Sequence, residues 1–175
     1  MLKRFKIKID SPKDRLKASL LSAFFCALCA VLAQIYIPTP FGVSFTLQSL
    51  SVMLCGFVLP PFYAFLSVLS YILLGLIGIP VFSGFSGGVS HLFSFSGGFL
   101  LGFIALAVLC SLSSLAKRKT FRFIISFLGL TLCYIIGILW FCLVTKQNLL
   151  NPFSYFSLIF LLKDTVILIT LKLVL

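Results

Sequence analysis

One carboxylate, one histidine and a few amides and hydroxyls are the groups through which this 175-residue chain could do chemistry. Asp164 is the only acidic residue after Asp14, and it lies inside the last apolar segment. A carboxylate within a membrane costs several kcal/mol unless it faces a protein interior and is paired or hydrogen-bonded, which makes it a functional candidate. The competing reading is structural: an ion pair with the adjacent Lys163, or a helix-end charge. Thr46, Gln48 and Tyr71 are polar groups in apolar helices, suited either to interhelical hydrogen bonds or to a small polar ligand. The lone His91 falls in a loop and reads as an uncommitted side chain. No second histidine, H-x-x-x-H pattern or carboxylate cluster accompanies it, so no metal site is expected. No nucleophile–base pair is found either; no catalytic residue is assigned and the chain is not expected to be an enzyme.

The run Phe82-Ser83-Gly84-Phe85-Ser86-Gly87-Gly88 is too rich in glycine for a stable helix. It could present backbone N–H groups to an anion, but it is not a P-loop, and no G-x-x-x-x-G-K-[ST] occurs in the chain. Its two phenylalanines point to a loop that covers something apolar.

The elements that would position these groups follow from composition. Hydrophobic residues make up 61% of the chain and charged residues 10%. The mean hydropathy is +1.24. Several apolar runs approach the roughly 20 residues that cross a bilayer core. Backbone groups in lipid must be satisfied internally, and these runs are apolar on every face, so they are helices and not barrel strands. The fold expected is an all-α integral membrane protein of one domain, with six transmembrane helices over residues 16–175 behind a basic segment, 1–15. The helices are placed at 16–37, 45–59, 61–79, 96–115, 123–145 and 152–175, with breaks at Pro38, Pro40, Pro60-Pro61, Pro80 and Pro152.

The net charge of +11 is carried mostly by two clusters, one between Lys3 and Lys17 and one at Lys117, Arg118, Lys119 and Arg122. Both flank apolar segments and read as cytoplasmic by the positive-inside rule. With six crossings the second cluster falls inside, as do both termini. Neither cluster carries interleaved aromatics, so nucleic acid is not an expected partner. The six cysteines all sit in apolar runs and read as packing residues, including Cys26 and Cys29. Ser19, Ala23 and Ala27 form a stripe of small residues along the first helix. Such a stripe lets another helix approach closely, either within the bundle or from a partner.

Three runs carry a family resemblance: residues 33–48 (Ala-Gln-Ile-Tyr-Ile-Pro-Thr-Pro-Phe-Gly-Val-Ser-Phe-Thr-Leu-Gln), residues 71–84 (Tyr-Ile-Leu-Leu-Gly-Leu-Ile-Gly-Ile-Pro-Val-Phe-Ser-Gly) and residues 97–103 (Gly-Gly-Phe-Leu-Leu-Gly-Phe). In this order and spacing they resemble the biotin-specific S components of energy-coupling-factor transporters, the BioY family. The resemblance implies a six-helix vitamin-binding subunit of the cell inner membrane, with no cofactor and with biotin as the transported ligand. It implies docking, through the small residues of the first helix, on a transmembrane T component coupled to two cytoplasmic ATPases. By the same resemblance Asp164 accepts hydrogen bonds from the ureido ring, and Phe82, Phe85 and Phe99 supply apolar cover. Gln48, Tyr71, Ser86 and Lys163 are the polar candidates. A solitary carrier without an ATPase module and a structural membrane subunit are the alternatives.

Two positions depart from the family pattern. The family's last helix carries Gly-Asp followed three residues later by Lys; here Lys163-Asp164 is followed by Ile167. Pro60-Pro61-Phe62-Tyr63 stands where a basic residue often follows the second helix. The cation for a ligand carboxylate is therefore missing from its place, leaving Lys163, about 100° round the helix from Asp164, and His91 as candidates. A biotin precursor or relative is the alternative ligand.

Overall fold

The computed structural model describes residues 11–40, 42–146 and 152–174, with side chains described from 157 to 173 in the last segment. Most of the basic N-terminal segment and the loop after Lys146 lie outside these residues. The elements run α1 (Pro12–Ala33), β1 (Tyr36–Ile37), β2 (Phe45–Thr46), α2 (Gln48–Val58), α3 (Pro61–Leu76), α4 (Val89–Leu92), α5 (Gly97–Ser113), α6 (Lys119–Thr145) and α7 (Pro152–Val174).

The expected helices are all present, and their ends move for local reasons. α1 starts a turn earlier than expected because Ser11 caps it: its Oγ accepts from the Asp14 N–H and donates to the Asp14 carboxylate at 2.7 Å. It stops at Ala33 because Tyr36 and Ile37 pair antiparallel with Thr46 and Phe45, giving those backbone groups sheet partners instead of helical ones. The same pairing delays α2 until Gln48. α3 ends at Leu76, ahead of Gly78, whose φ of 104° is open to glycine but strained for other residues. α6 begins at Lys119, so part of the basic loop is its first turn, and the Arg122 guanidinium folds back to the Ala116 carbonyl at 2.8 Å.

α5 is the central helix. It packs along α6 and carries α2 and α3 on its other side; α1 lies on α3 and α2, and α7 on α6 and α2. The close α5–α6 approach depends on two missing side chains. A Cβ at Gly98 would lie 2.2 Å from Trp140 Cβ, and one at Gly102 would lie 2.8 Å from the Cys133 carbonyl oxygen. Serine hydroxyls tie the helices where lipid would give no partner. Ser67 donates to the Ser22 carbonyl at 2.9 Å, Ser22 to Tyr63 at 3.1 Å, and Ser111 to Leu59 at 2.6 Å. Cys26, Cys29, Cys55, Cys110 and Cys133 are buried and unpaired.

The outside of the bundle is apolar. On α6, Leu128, Leu132, Ile135, Leu139 and Leu143 recur at helical spacing and are all exposed, a face suited to lipid. α1 and α6, with 22 and 27 residues and mean hydropathies of 2.1 and 2.4, are long and apolar enough to cross a membrane. α2 has 11 residues, about 16 Å of helix against a core of about 30 Å. It covers about half that depth.

Substituting Gly102 by Val is expected to force α5 from α6 and cost about 1–3 kcal/mol. The melting temperature in detergent should fall clearly, whereas Leu128→Ala on the exposed face of α6 should leave it nearly unchanged.

Candidate functional site

Asp164 is 4% exposed, and three groups meet its carboxylate. Ser49, in the first turn of α2, donates to Oδ1 at 2.6 Å; Tyr134, midway along α6, donates to Oδ2 at 2.7 Å; and Lys163 Nζ stands 2.9 Å from Oδ1. The Lys163 ammonium also donates to the Thr46 carbonyl, lies 3.4 Å from Ser49 Oγ, and sits 4.5 Å from the centre of the Phe45 ring. Its three hydrogens are thus spent on protein. Although Lys163 and Asp164 leave the helix on different bearings, the four-carbon stem of lysine curls round far enough to close the pair.

The ion pair forms one wall of an internal cavity. Val43, Ser44, Thr46, Gln48, Ser49, Phe82, Ser83, His91, Ser96, Phe99, Leu100, Phe103, Leu106, Leu130, Cys133, Tyr134 and Phe160 complete the lining. Its cavity volume is about 60 Å³, narrower than the roughly 300–1,000 Å³ found for small-molecule sites. The floor is polar, around Asp164 and Tyr134; the walls are aromatic and aliphatic; and the rim on the loop side carries Ser44, Ser83, Ser96 and His91. Phe99 meets the Tyr134 ring edge-on at 5.7 Å, so the apolar wall runs down to the carboxylate.

The glycine-rich loop closes the rim. Phe82 and Ser86 form a backbone bridge, and the Phe82 side chain is fully buried. It fits into a slot over Gly75, where a Cβ would lie 2.0 Å from the ring. Gln34, the residue that ends α1, clasps this loop by both ends of its amide: Nε2 donates to the Phe82 carbonyl at 3.1 Å and Oε1 accepts from the Phe85 N–H at 3.0 Å. On the inner side the His91 ring stacks on Phe82 at 4.7 Å, with its nitrogens 3.1 Å from Ser86 Oγ and 3.3 Å from Ser96 Oγ. Burial pulls the His91 pKa down.

Of the residues expected at a site, Asp164, Gln48, Phe82, Phe99 and Lys163 line one cavity. Three others do not. Phe85 points outward and is 72% exposed, because its positive φ of 53° turns the backbone away from the cavity. Tyr71 lies behind the wall, accepting from Gln48 Nε2 and donating to the Val81 carbonyl, so it holds Gln48 in place. Ser86 is spent inside the loop, donating to the Ser83 carbonyl. Tyr134, Ser49 and Ser96 were not singled out from sequence. Tyr134 had a readable signal, being the only tyrosine of α6, whereas single serines in apolar helices have none. Ser19, Ala23 and Ala27 are exposed, on an α1 face that forms a shallow groove with Leu66, Ser70 and Leu74 of α3.

Helices that bury one charged pair beside a lined cavity, inside an apolar exterior, define a ligand-binding integral membrane protein. The chain belongs to the BioY family, whose pattern matches residues 5–175. It is 42% identical over 123 residues to the probable biotin transporter BioY of Pyrococcus horikoshii, covering 69% of this chain and 71% of that protein. The biotin transporter BioY of Thermotoga maritima is 36% identical over 159 residues, 86% of this chain and 93% of that one. The crystal structure of the S component for biotin from an ECF-type ABC transporter superposes with a TM-score of 0.80 at 25% identity, covering 94% of this chain and 93% of that one.

Removing one partner of a buried ion pair leaves the other charge uncompensated, at a cost of about 3–5 kcal/mol. Lys163→Met is expected to destabilise the purified protein on that scale. Adding Asp164→Asn to the same chain should recover a large part of the loss in thermal or denaturant unfolding. Simple addition of the two single losses would show that the pair is not coupled.

Proposed function

We propose that this chain is the substrate-binding S component of an energy-coupling-factor transporter and that it captures biotin for uptake across the cytoplasmic membrane. The observation that carries the reading is the Asp164 carboxylate at the floor of the cavity. Ser49 and Lys163 satisfy Oδ1, while Oδ2 receives only Tyr134 and keeps acceptor capacity for a donor in the cavity. The ureido ring of biotin presents two N–H donors and a carbonyl, and its thioether ring and alkyl tail are apolar. That sequence of groups matches a polar floor under walls of Phe99, Phe103 and Phe160. Membership of the BioY family and similarity to a biotin S component support the same assignment.

In this reading Asp164 accepts from the ureido N–H groups, Tyr134 and Lys163 hold that carboxylate in position, and Gln48, kept in place by Tyr71, is a further polar contact. Phe82 caps the ligand from the loop side. In the same reading the chain crosses six times, with the glycine-rich loop outside and the Lys117–Arg122 cluster inside, so the ligand enters from the outer face. The exposed stripe of Ser19, Ala23 and Ala27 is where the T component docks, and two cytoplasmic ATPases supply the energy. The chain works in the cell inner membrane and needs no cofactor.

Calorimetry on the detergent-solubilised chain tests the assignment. Biotin should bind tightly, and Asp164→Asn, which loses a charged acceptor, should weaken it by about 1.5–3 kcal/mol, or ten- to a hundredfold. Unchanged affinity in a folded Asp164→Asn variant would remove the carboxylate from the site. Absence of biotin binding to the unmodified chain would remove the function.

A further inference from the structure

The cavity has a charged floor with no net charge. Lys163 and Asp164 neutralise each other, and every Lys163 hydrogen is engaged with protein. A ligand carboxylate entering tail-outward therefore meets no free cation among the described lining residues. The rim holds one group that can become a cation, His91.

The hydroxyls around His91 can be assigned by counting hydrogens, since each serine hydroxyl has one to give. Ser86 gives its hydrogen to the Ser83 carbonyl at 2.8 Å, so the 3.1 Å contact between Ser86 Oγ and His91 Nδ1 takes its hydrogen from the ring. Ser94 gives its hydrogen to the His91 carbonyl at 2.6 Å, so the Ser96 hydroxyl has two takers for its one hydrogen, Ser94 Oγ at 3.1 Å and His91 Nε2 at 3.3 Å. Given to Nε2, it completes the neutral ring; given to Ser94, it leaves Ser96 Oγ to accept from a doubly protonated ring. The same hydroxyls thus serve both forms. Burial against Phe82 favours the neutral one, and an anion at Nε2 favours the other. Of the two serines, Ser96 lines the cavity and Ser86 does not, so Nε2 is the nitrogen turned toward a ligand. Its contact is also the longer one.

We infer that His91 is a specificity-determining residue that takes up a proton as the ligand's tail carboxylate enters, and that the resulting imidazolium, through Nε2, is the cation that reads this carboxylate. The inference rests on the biotin reading above. The titratable groups sharing the cavity are Lys163 and Asp164 on α7 and Tyr134 and Cys133 on α6, with Tyr71 of α3 behind Phe82. The carboxylate of the ligand and the ring of His91 exchange no atoms; the proton comes from solvent. Because the bound form holds the extra proton, affinity rises as pH falls. The gain is about tenfold for each unit by which the His91 pKa is raised on binding.

His91 is the only histidine in the chain, so protein labelled at histidine gives one imidazole signal whose titration by NMR reads this residue alone. The titration is run on the unmodified protein, free, with biotin and with biotin methyl ester. The expected result is a pKa raised by about one unit or more with biotin and not with the ester, and, by calorimetry in buffers of different ionisation enthalpy midway between the two pKa values, uptake of about half a proton or more on biotin binding. In a His91→Gln variant the proton uptake should vanish and the preference for biotin over its ester should fall toward one. A pKa that moves equally with both ligands, or with neither while both bind, overturns this role and leaves the biotin assignment standing. Failure of both ligands to bind overturns the assignment and this role with it.

Discussion

A carboxylate inside an apolar bundle has to be compensated where it stands, and the architecture of this protein follows from how Asp164 meets that demand. It is buried at 4% exposure, and the partners it has come from the fold. α2 supplies Ser49, α6 supplies Tyr134, and α7 supplies both the acid and its lysine. Three helices that are distant in sequence are thereby tied at one point. The cost of misplacing any of them is the cost of a bare charge, several kcal/mol in a total stability that is only modestly larger. The short α2 makes sense in this light. Its first turn carries Ser49 to the Asp164 carboxylate, and the helix begins just after the β1–β2 pair.

Packing and polarity divide the work around that point. Gly98 and Gly102 bring α5 against α6, which sets the distance across which Phe99 and Tyr134 face each other. Gly75 does the same for the loop, since the Phe82 ring occupies the space that a side chain would have filled. Two phenylalanines of one loop thus have opposite fates. Phe82 is sealed against the helices, and Phe85, three residues on, is turned out by a left-handed backbone.

The sequence was legible where a physical constraint acts on single residues. Prolines, glycines and hydropathy located the helices to within a few residues, and the cost of an intramembrane charge singled out Asp164. It was illegible where the outcome depends on a partner far along the chain. Nothing near Ile37 announces that it will pair with Phe45. Nothing near Phe85 distinguishes it from Phe82 until the loop is folded. The ion pair of Lys163 with Asp164 was legible as the structural alternative for the acid, and the flexible lysine stem closes it. Tyr71 and Gln48 were both read as polar contacts of a site, and that Tyr71 stands behind the wall supporting Gln48 needs coordinates.

The amide of Gln34 has a mechanical meaning. It grips the covering loop at Phe82 and Phe85 from the end of the helix that carries Ser19, Ala23 and Ala27 in the open. The hinge of the cover and the outermost rod of the bundle therefore share one degree of freedom. A force that rolls or lifts that rod either drags the cover along or breaks two hydrogen bonds in the attempt. Pressure applied to the flank of the molecule is felt at its roof.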